Sequence, residues 1–161
     1  MILPEYITPT LDDWLAKFHF STELKVRVCE TDLFAHVNNT SYSLYYEQGR
    51  ADYLEHLGFY NHDIMFVVGD IYCHFQREAY ARDELIVLVR TSYFGNKSLT
   101  IESAIQRKST GELISSNWTT LVLVDAKTKN TIMLPDFVKE AIQHLDQNNN
   151  LQRIKTNNSS F

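Results

Sequence analysis

A short polar segment between a predicted strand and a predicted helix carries the residues whose types and spacing could support chemistry. An acid, a histidine and two asparagines fall at Asp32, His36, Asn38 and Asn39. A helix N-terminus presents unpaired backbone N–H groups and a partial positive charge. A carbonyl docked there would be polarised, because these donors stabilise the oxyanion that develops in acyl transfer. The Asp32 carboxylate beside it could attack that carbonyl or deprotonate a water molecule that does.

The same residues also have a purely structural interpretation. Asp and Asn side chains in connections usually form turns and helix caps. Either Asn38 or Asn39 would then cap the helix. In the catalytic interpretation the same cap fixes the first-turn geometry, and His36 would orient the loop or bind a substrate. The residue types alone leave the catalytic and the structural interpretation open.

The elements that position this loop follow from the hydrophobic pattern. A stripe of large side chains at steps of three and four, from Tyr42 to Leu57, predicts a long helix over 39–57. Gly49 lies inside this stripe, which indicates that the helix approaches the surface beneath it closely. Alternation from Phe20 to Val28 predicts a half-buried strand. Further strands are predicted at 64–77, 84–93, 98–108 and 112–125, with 85–89 and 121–124 buried on both faces, and short helices at 9–18 and after Pro135.

One strand, one long helix and four further strands predict an α+β protein. Short links between successive strands favour antiparallel pairing. We therefore expect a hot-dog fold, a single antiparallel curved sheet of about five strands wrapped around one long helix. The expected organisation is an N-terminal extension with a short helix at 1–21, the hot-dog domain at 22–146 and a polar tail at 147–161.

Composition limits the possible classes. The chain has 161 residues, of which 44% are hydrophobic and 22% charged, as expected for one folded domain. The net charge of −5 argues against nucleic acid as the main partner. The sequence shows no signal peptide and no apolar run long enough for a membrane span. Cys29 and Cys73 are expected to be free thiols in a reducing compartment, so a cytoplasmic protein is predicted.

The run DLFAHVNNTSYSLYYEQGR at 32–50 resembles the signature of the 4-hydroxybenzoyl-CoA thioesterase family of hot-dog proteins. That signature is an acid, two residues, glycine, then HVNN, a tyrosine three residues on, and a helical YFExAR. With the GNKS turn, TGE and a late LP, the resemblance extends over about residues 22–142. Two positions depart from the pattern, Ala35 in place of glycine and Gly49 in place of alanine. The residues that match are Asp32, His36, Val37, Asn38, Asn39, Tyr42, Tyr46, Glu47 and Arg50.

The resemblance implies hydrolysis of acyl-CoA thioesters without a metal or prosthetic group, CoA entering only as part of the substrate. Asp32 matches the family's nucleophile or general base, and the backbone amide of Asn39 the donor that polarises the thioester carbonyl. The resemblance also implies a site at a subunit interface of a homodimer or homotetramer. His36 is a further catalytic candidate. Asn38, Tyr42 and Lys97 are candidate substrate-binding residues, Lys97 as a charge for a CoA phosphate.

Other functions are weighed against this one. A thioesterase for acyl-carrier protein would need a basic docking surface, which the net charge of −5 disfavours. A non-catalytic acyl-binding module remains open. Asp32 and His36 with Cys29 do not complete a metal site, and Cys73 and His74, adjacent in a strand, point to opposite faces. Glu47 and Arg50 are expected to be structural, either paired on the helix or bracing the loop.

Overall fold

The computed structural model describes residues 3–148, which form three helices and five strands. Two 3-10 turns, at Val28–Glu30 and Phe59–Asn61, connect them. The helices are α1 (Leu11–Leu15), α2 (Asn39–His56) and α3 (Asp136–Asn148). The strands are β1 (Phe20–Lys25), β2 (Ile64–Phe75), β3 (Glu84–Phe94), β4 (Ser98–Arg107) and β5 (Leu113–Asp125).

The five strands form one sheet in the order β1-β3-β4-β5-β2, and every neighbouring pair is antiparallel. Helix α2 packs across β3 and β1. The predicted α+β hot-dog fold, with its five-stranded sheet and one long helix, is confirmed. Because β2 lies at an edge of the sheet, one side of this 12-residue strand has no neighbouring strand among residues 3–148.

The close approach predicted at Gly49 is present. A Cβ atom at this position would lie 2.6 Å from Cγ1 of Val87 and 3.3 Å from Cγ2 of Val89. The apolar stripe of α2 faces the sheet, where Tyr46 and Tyr53 are almost completely buried. Glycine therefore allows the helix axis to come down onto β3.

The first strand is shorter than predicted. Alternation continues in the sequence to Val28, but β1 ends at Lys25 and Val28 is 65% exposed. The Val26 N–H bonds to the carbonyl of Asp83, the next position in register after the Lys25–Glu84 pair, and the chain then enters a 3-10 turn. The predicted core position of Val28 is wrong, because this turn rotates its side chain out of the sheet.

The N-terminal segment packs on the face of the sheet opposite α2. Trp14 is completely buried there, in a cluster with Ile7, Ala104 and Leu113. The indole N–H of Trp14 donates to Oε2 of Glu102 at 2.7 Å. The prediction that two runs are buried on both faces is only half right, at 85–89 and 121–124. In each run the alternate residues that face α2 are fully buried, and those on the opposite face are half-buried.

Helix α3 closes the open end of the core. Val138 and Ile142 are buried, whereas Phe137, predicted on the same apolar side, is 37% exposed and packs on the ring of His62. The helix includes Gln147 and Asn148, the first two residues of the predicted tail. The rest of that tail, 149–161, lies outside the described residues. No helix within residues 3–148 is long and apolar enough to cross a membrane.

Candidate active site

The loop before α2 folds back on itself as a tight turn. The Asp32 N–H donates to the carbonyl of His36 at 2.9 Å, and the Ala35 N–H donates to the carbonyl of Asp32 at 3.1 Å. Ala35 has a φ of 63°, in the left-handed region that favours glycine. This conformation explains why glycine is usual at this position of the motif.

Asp32 is exposed at the start of this turn. Its Oδ1 accepts the N–H of Phe34 at 2.8 Å, which fixes the orientation of the carboxyl group. The other oxygen, Oδ2, has no hydrogen-bond partner among residues 3–148. The side chains of Leu33 and Phe34 at the tip of the turn are 102% and 78% exposed. A carboxylate oxygen is thus presented beside two apolar side chains.

Glu30 anchors the loop to the helix, a role that the sequence pattern did not predict. Its buried carboxylate accepts the hydroxyl of Tyr45 at 2.8 Å, the Arg27 N–H at 2.7 Å and two bonds from the Arg27 guanidinium. Its carbonyl accepts from the N–H of Asn38 and from the hydroxyl of Ser41. Burial raises the pKa of Glu30, but the hydrogen bonds from Arg27 and Tyr45 outweigh it and leave that pKa below its usual range.

The N-terminus of α2 leaves one backbone donor free. Asn38 is the cap, and its Oδ1 accepts both the N–H and the hydroxyl of Thr40. The Ser41 N–H donates to the carbonyl of Asn38 at 2.9 Å. The N–H of Asn39, which begins the helix, has no acceptor in the described part of the chain. It is therefore available to an oxygen atom from outside the chain.

The side chains of His36, in the loop, and Tyr42, in the first turn of α2, contact other residues of the protein. Nε2 of His36 is 3.5 Å from a carboxylate oxygen of Glu78, and its ring meets that of Tyr80 edge-on at 5.5 Å. Tyr42 is buried, and its ring packs against Phe75 at 5.1 Å. Burial raises the pKa of Tyr42 to about 12, so its hydroxyl is neutral near pH 7.

Lys97 is far from this loop within one chain. The loop contacts residues 79 and 80, which precede β3, whereas Lys97 follows the other end of β3. The 11 residues of β3 span about 33 Å. The structure therefore brings together Asp32, His36, Asn38, Asn39 and Tyr42 but not Lys97.

The two thiols and the metal candidates contribute no further site. Cys29 is exposed, and Cys73 is half-buried on the core face, where burial raises the pKa of its thiol. Within residues 3–148, no group of three or more His, Cys, Asp or Glu side chains is arranged to hold a metal ion.

Comparison with known proteins places this fold and loop in a family. The model of the thioesterase-like superfamily matches residues 26–142. The chain therefore belongs to the thioesterase-like superfamily and is a thioester hydrolase. The finer resemblance, to the 4-hydroxybenzoyl-CoA thioesterase family in particular, stays a prediction.

Similar proteins cover most of the chain. It is 31% identical over 146 residues to the uncharacterized protein YsmA of Bacillus subtilis, covering 89% of this chain and 99% of that protein. It is 28% identical over 128 residues to the long-chain acyl-CoA thioesterase FadM of Escherichia coli, covering 77% of this chain and 97% of FadM. A Thermus thermophilus thioesterase crystallised with coenzyme A and Zn is 27% identical, with a TM-score of 0.71, covering 81% of this chain and 96% of that one.

Proposed function

We propose that this protein hydrolyses acyl-CoA thioesters, with Asp32 as nucleophile or general base and the Asn39 amide as the donor to the thioester oxygen. The observation that carries the proposal is the free Asn39 N–H at the start of an 18-residue helix. The helix dipole adds to its attraction for a developing oxyanion. Asp32 precedes it on the same folded loop and keeps one oxygen without a hydrogen-bond partner in the described part of the chain.

The chemistry needs only these groups and water. The carbonyl carbon gains an oxygen from water, either directly or after an acyl-Asp32 anhydride has formed and been hydrolysed. The C–S bond breaks, and the CoA thiolate takes up the proton that the attacking water loses. In the tetrahedral intermediate, the former carbonyl oxygen carries the negative charge and accepts a hydrogen bond from the Asn39 N–H. A reaction without metal or prosthetic group is part of the proposal.

Two similar proteins support CoA as the carrier. FadM is a long-chain acyl-CoA thioesterase by name, and the Thermus thermophilus thioesterase was crystallised with coenzyme A. The exposed Leu33 and Phe34 offer apolar contacts to a substrate beside Asp32. His36, through Glu78 and Tyr80, would hold the loop in place, and Asn38 would hold the Asn39 amide. Tyr42 would form the apolar wall at the helix start.

We further propose a homodimer formed by the β2 edges of two chains, with a homotetramer as the possible higher assembly. Strand β2 is a long exposed edge with apolar side chains, including Val67 at 42% and Tyr72 at 45% exposure. Such an edge is a template for pairing with another strand. Since Lys97 is remote from Asp32 in one chain, a contact with a CoA phosphate would have to come from a second chain. Light scattering should give at least twice the chain mass of 18.8 kDa.

The test of the reaction is thiol release from a panel of acyl-CoAs by wild type, Asp32→Asn and the exposed control Asp12→Asn. We expect Asp32→Asn to fold normally, by circular dichroism, and to lose at least about 10²-fold in kcat. Wild-type turnover by folded Asp32→Asn would contradict the role of Asp32. Thiol release only from acyl-carrier protein would favour a carrier-protein thioesterase, and tight binding without release would favour a non-catalytic acyl-binding module.

The cytoplasmic location stays a prediction that cell fractionation can test.

A further inference from the structure

The C-terminal half of α2, the turn after it and the first half of β2 line an open pocket of about 340 Å³. Most of its wall is apolar and includes Leu54, Phe66 and Val68. Arg50 and Glu47 are the charged residues of the wall. The sequence predicted these two residues to be structural, and no ion pair within 4 Å joins them.

Arg50 is the unusual member of this wall. Its guanidinium is half-buried, and among residues 3–148 it has neither a hydrogen-bond acceptor nor a carboxylate at ion-pair distance. Burial lowers the pKa of Arg50, while the charge of Glu47 one turn earlier partly opposes this effect. A guanidinium stays protonated in proteins, so Arg50 carries a partly desolvated charge that the charge of Glu47 offsets only in part. An anionic group entering the pocket would supply the missing acceptor with two parallel N–H···O bonds.

An apolar strip connects this pocket with the start of α2. Phe75, Ile71 and Val68 are 45%, 51% and 39% exposed along β2. Ile71 and Val68 pair with Thr119 and Leu121, which are buried on the α2 side of β5, so the strip faces the helix layer. Phe75, at one end of the strip, packs against the ring of Tyr42 in the first turn of α2. A chain bound along the strip would run from the proposed reaction site to Arg50.

The distance suits a long acyl chain. Asn39 and Arg50 are 11 residues apart on one helix, which corresponds to about 16 Å along its axis. An extended chain advances roughly 1.2 Å per bond, as in a polypeptide of three bonds per residue, so about 14 bonds cover this distance. The pocket is thus placed to receive the far end of such a chain.

We infer that Arg50 makes the enzyme selective for long acyl groups that carry a carboxylate at the end remote from the thioester. This inference rests on the proposed function, because it assumes that acyl-CoA is bound at the Asn39 amide. Arg50 would contact the substrate far from the reacting carbon, so it would govern binding and selectivity rather than the chemical step. Glu47 would oppose the same carboxylate, since it places a negative charge on the same wall.

The test compares tetradecanedioyl-CoA, which ends in a carboxylate, with tetradecanoyl-CoA, which ends in a methyl group. We expect wild type to favour the first in kcat/KM by about tenfold or more, the range of one hydrogen bond to a charged group. Arg50→Gln should abolish this preference, Arg50→Lys should keep part of it, and Glu47→Gln should increase it. The matched charge control is Lys139→Gln on α3, which should leave the preference unchanged.

Binding separates this inference from the proposed function. Calorimetric titration of both thioesters into Asp32→Asn measures the same preference without turnover. If wild type hydrolyses neither thioester, the proposed reaction fails, and the binding preference still decides the role of Arg50. Equal binding of the two thioesters, or a preference that Arg50→Gln leaves unchanged, overturns the inference. If Arg50→Gln does not fold, the test uses Glu47→Gln instead. A preference between the two thioesters that Glu47→Gln leaves unchanged then overturns the inference.

Discussion

Replacing Glu30 with glutamine tests how the catalytic loop is held against α2. The substitution keeps the shape of the side chain and one acceptor oxygen, which can still meet the Tyr45 hydroxyl and the Arg27 N–H. Both bonds lose their charge assistance, at about 1 kcal/mol each. The ion pair with the Arg27 side chain, which is 72% exposed, adds little. We therefore expect Glu30→Gln to lower the free energy of unfolding by about 2 kcal/mol, or the Tm by roughly 4–8 °C.

The effect of this substitution should depend on pH. The folded state lowers the pKa of Glu30, so its carboxylate stabilises the protein at pH values above the unfolded pKa, about 4.3. That contribution is lost as the pH falls through the lowered folded pKa. Wild type should therefore exceed Glu30→Gln in stability by the full amount at pH 6–7, and the difference should shrink as the pH falls below the unfolded pKa.

Urea unfolding at a series of pH values measures both quantities. The exposed acid Glu140 on α3 supplies the control, since Glu140→Gln should leave the curve unchanged. The Glu30 carbonyl still accepts from Asn38 and Ser41 in the variant, so kcat should fall much less than in Asp32→Asn. Equal stability of Glu30→Gln and wild type at pH 7, with parallel pH curves, would refute the anchoring role.

Two further substitutions test the start and the middle of α2. Asn38→Asp keeps a good helix cap and so should keep the Tm, but its negative charge beside the Asn39 amide should reduce kcat about tenfold or more. Asn38→Ser is a neutral cap and should retain kcat. Equal kcat values for the two variants would count against the Asn39 amide as the oxyanion donor. Gly49→Ala should gain about 1 kcal/mol of helix propensity and lose about 1–3 kcal/mol to the clash with Val87, so denaturant unfolding should show a loss of stability of up to about 2 kcal/mol. Adding Val87→Ala should remove the clash, so strictly additive effects in the double variant would show that the close contact is not the reason for glycine.

Sequence patterns predicted the fold well where local periodicity and tertiary packing agree. The stripe on α2 needed only the spacing of its tyrosines, and that spacing also marked Gly49 as the point of contact with the sheet. The pattern failed at Val28, where alternation continues in the sequence although the chain turns away from the sheet. That turn is held by the Glu30 carboxylate, which accepts the N–H and the guanidinium of Arg27, and the alternation of apolar residues does not reveal these bonds.

The candidate site divides in the same way. Asp32, Asn38 and Asn39 belong to one continuous loop and helix start, so their proximity could be predicted from their order in the chain. Glu30 belongs to the same segment, but its role depends on the hydrogen bond from Tyr45 on the helix. From the sequence alone, an acid next to a strand is expected to be solvated. Only the packed helix shows that its carboxylate is buried and fully bonded.

Arg50 shows why the proposed substrate pocket is the hardest part to predict. In a helical E-x-x-R pattern, Glu47 and Arg50 are expected either to pair or to brace the loop, and nothing in the pattern distinguishes a paired arginine from an unpaired one. The difference arises because β2, which begins after the Phe59–Asn61 turn, brings Phe66 and Val68 to the same wall and partly shields the guanidinium from water. The proposed catalytic groups lie on one loop and are encoded locally, whereas the chemistry of the pocket depends on which edge strand faces the helix. Under the proposal, selectivity can therefore change without any change in the loop motif.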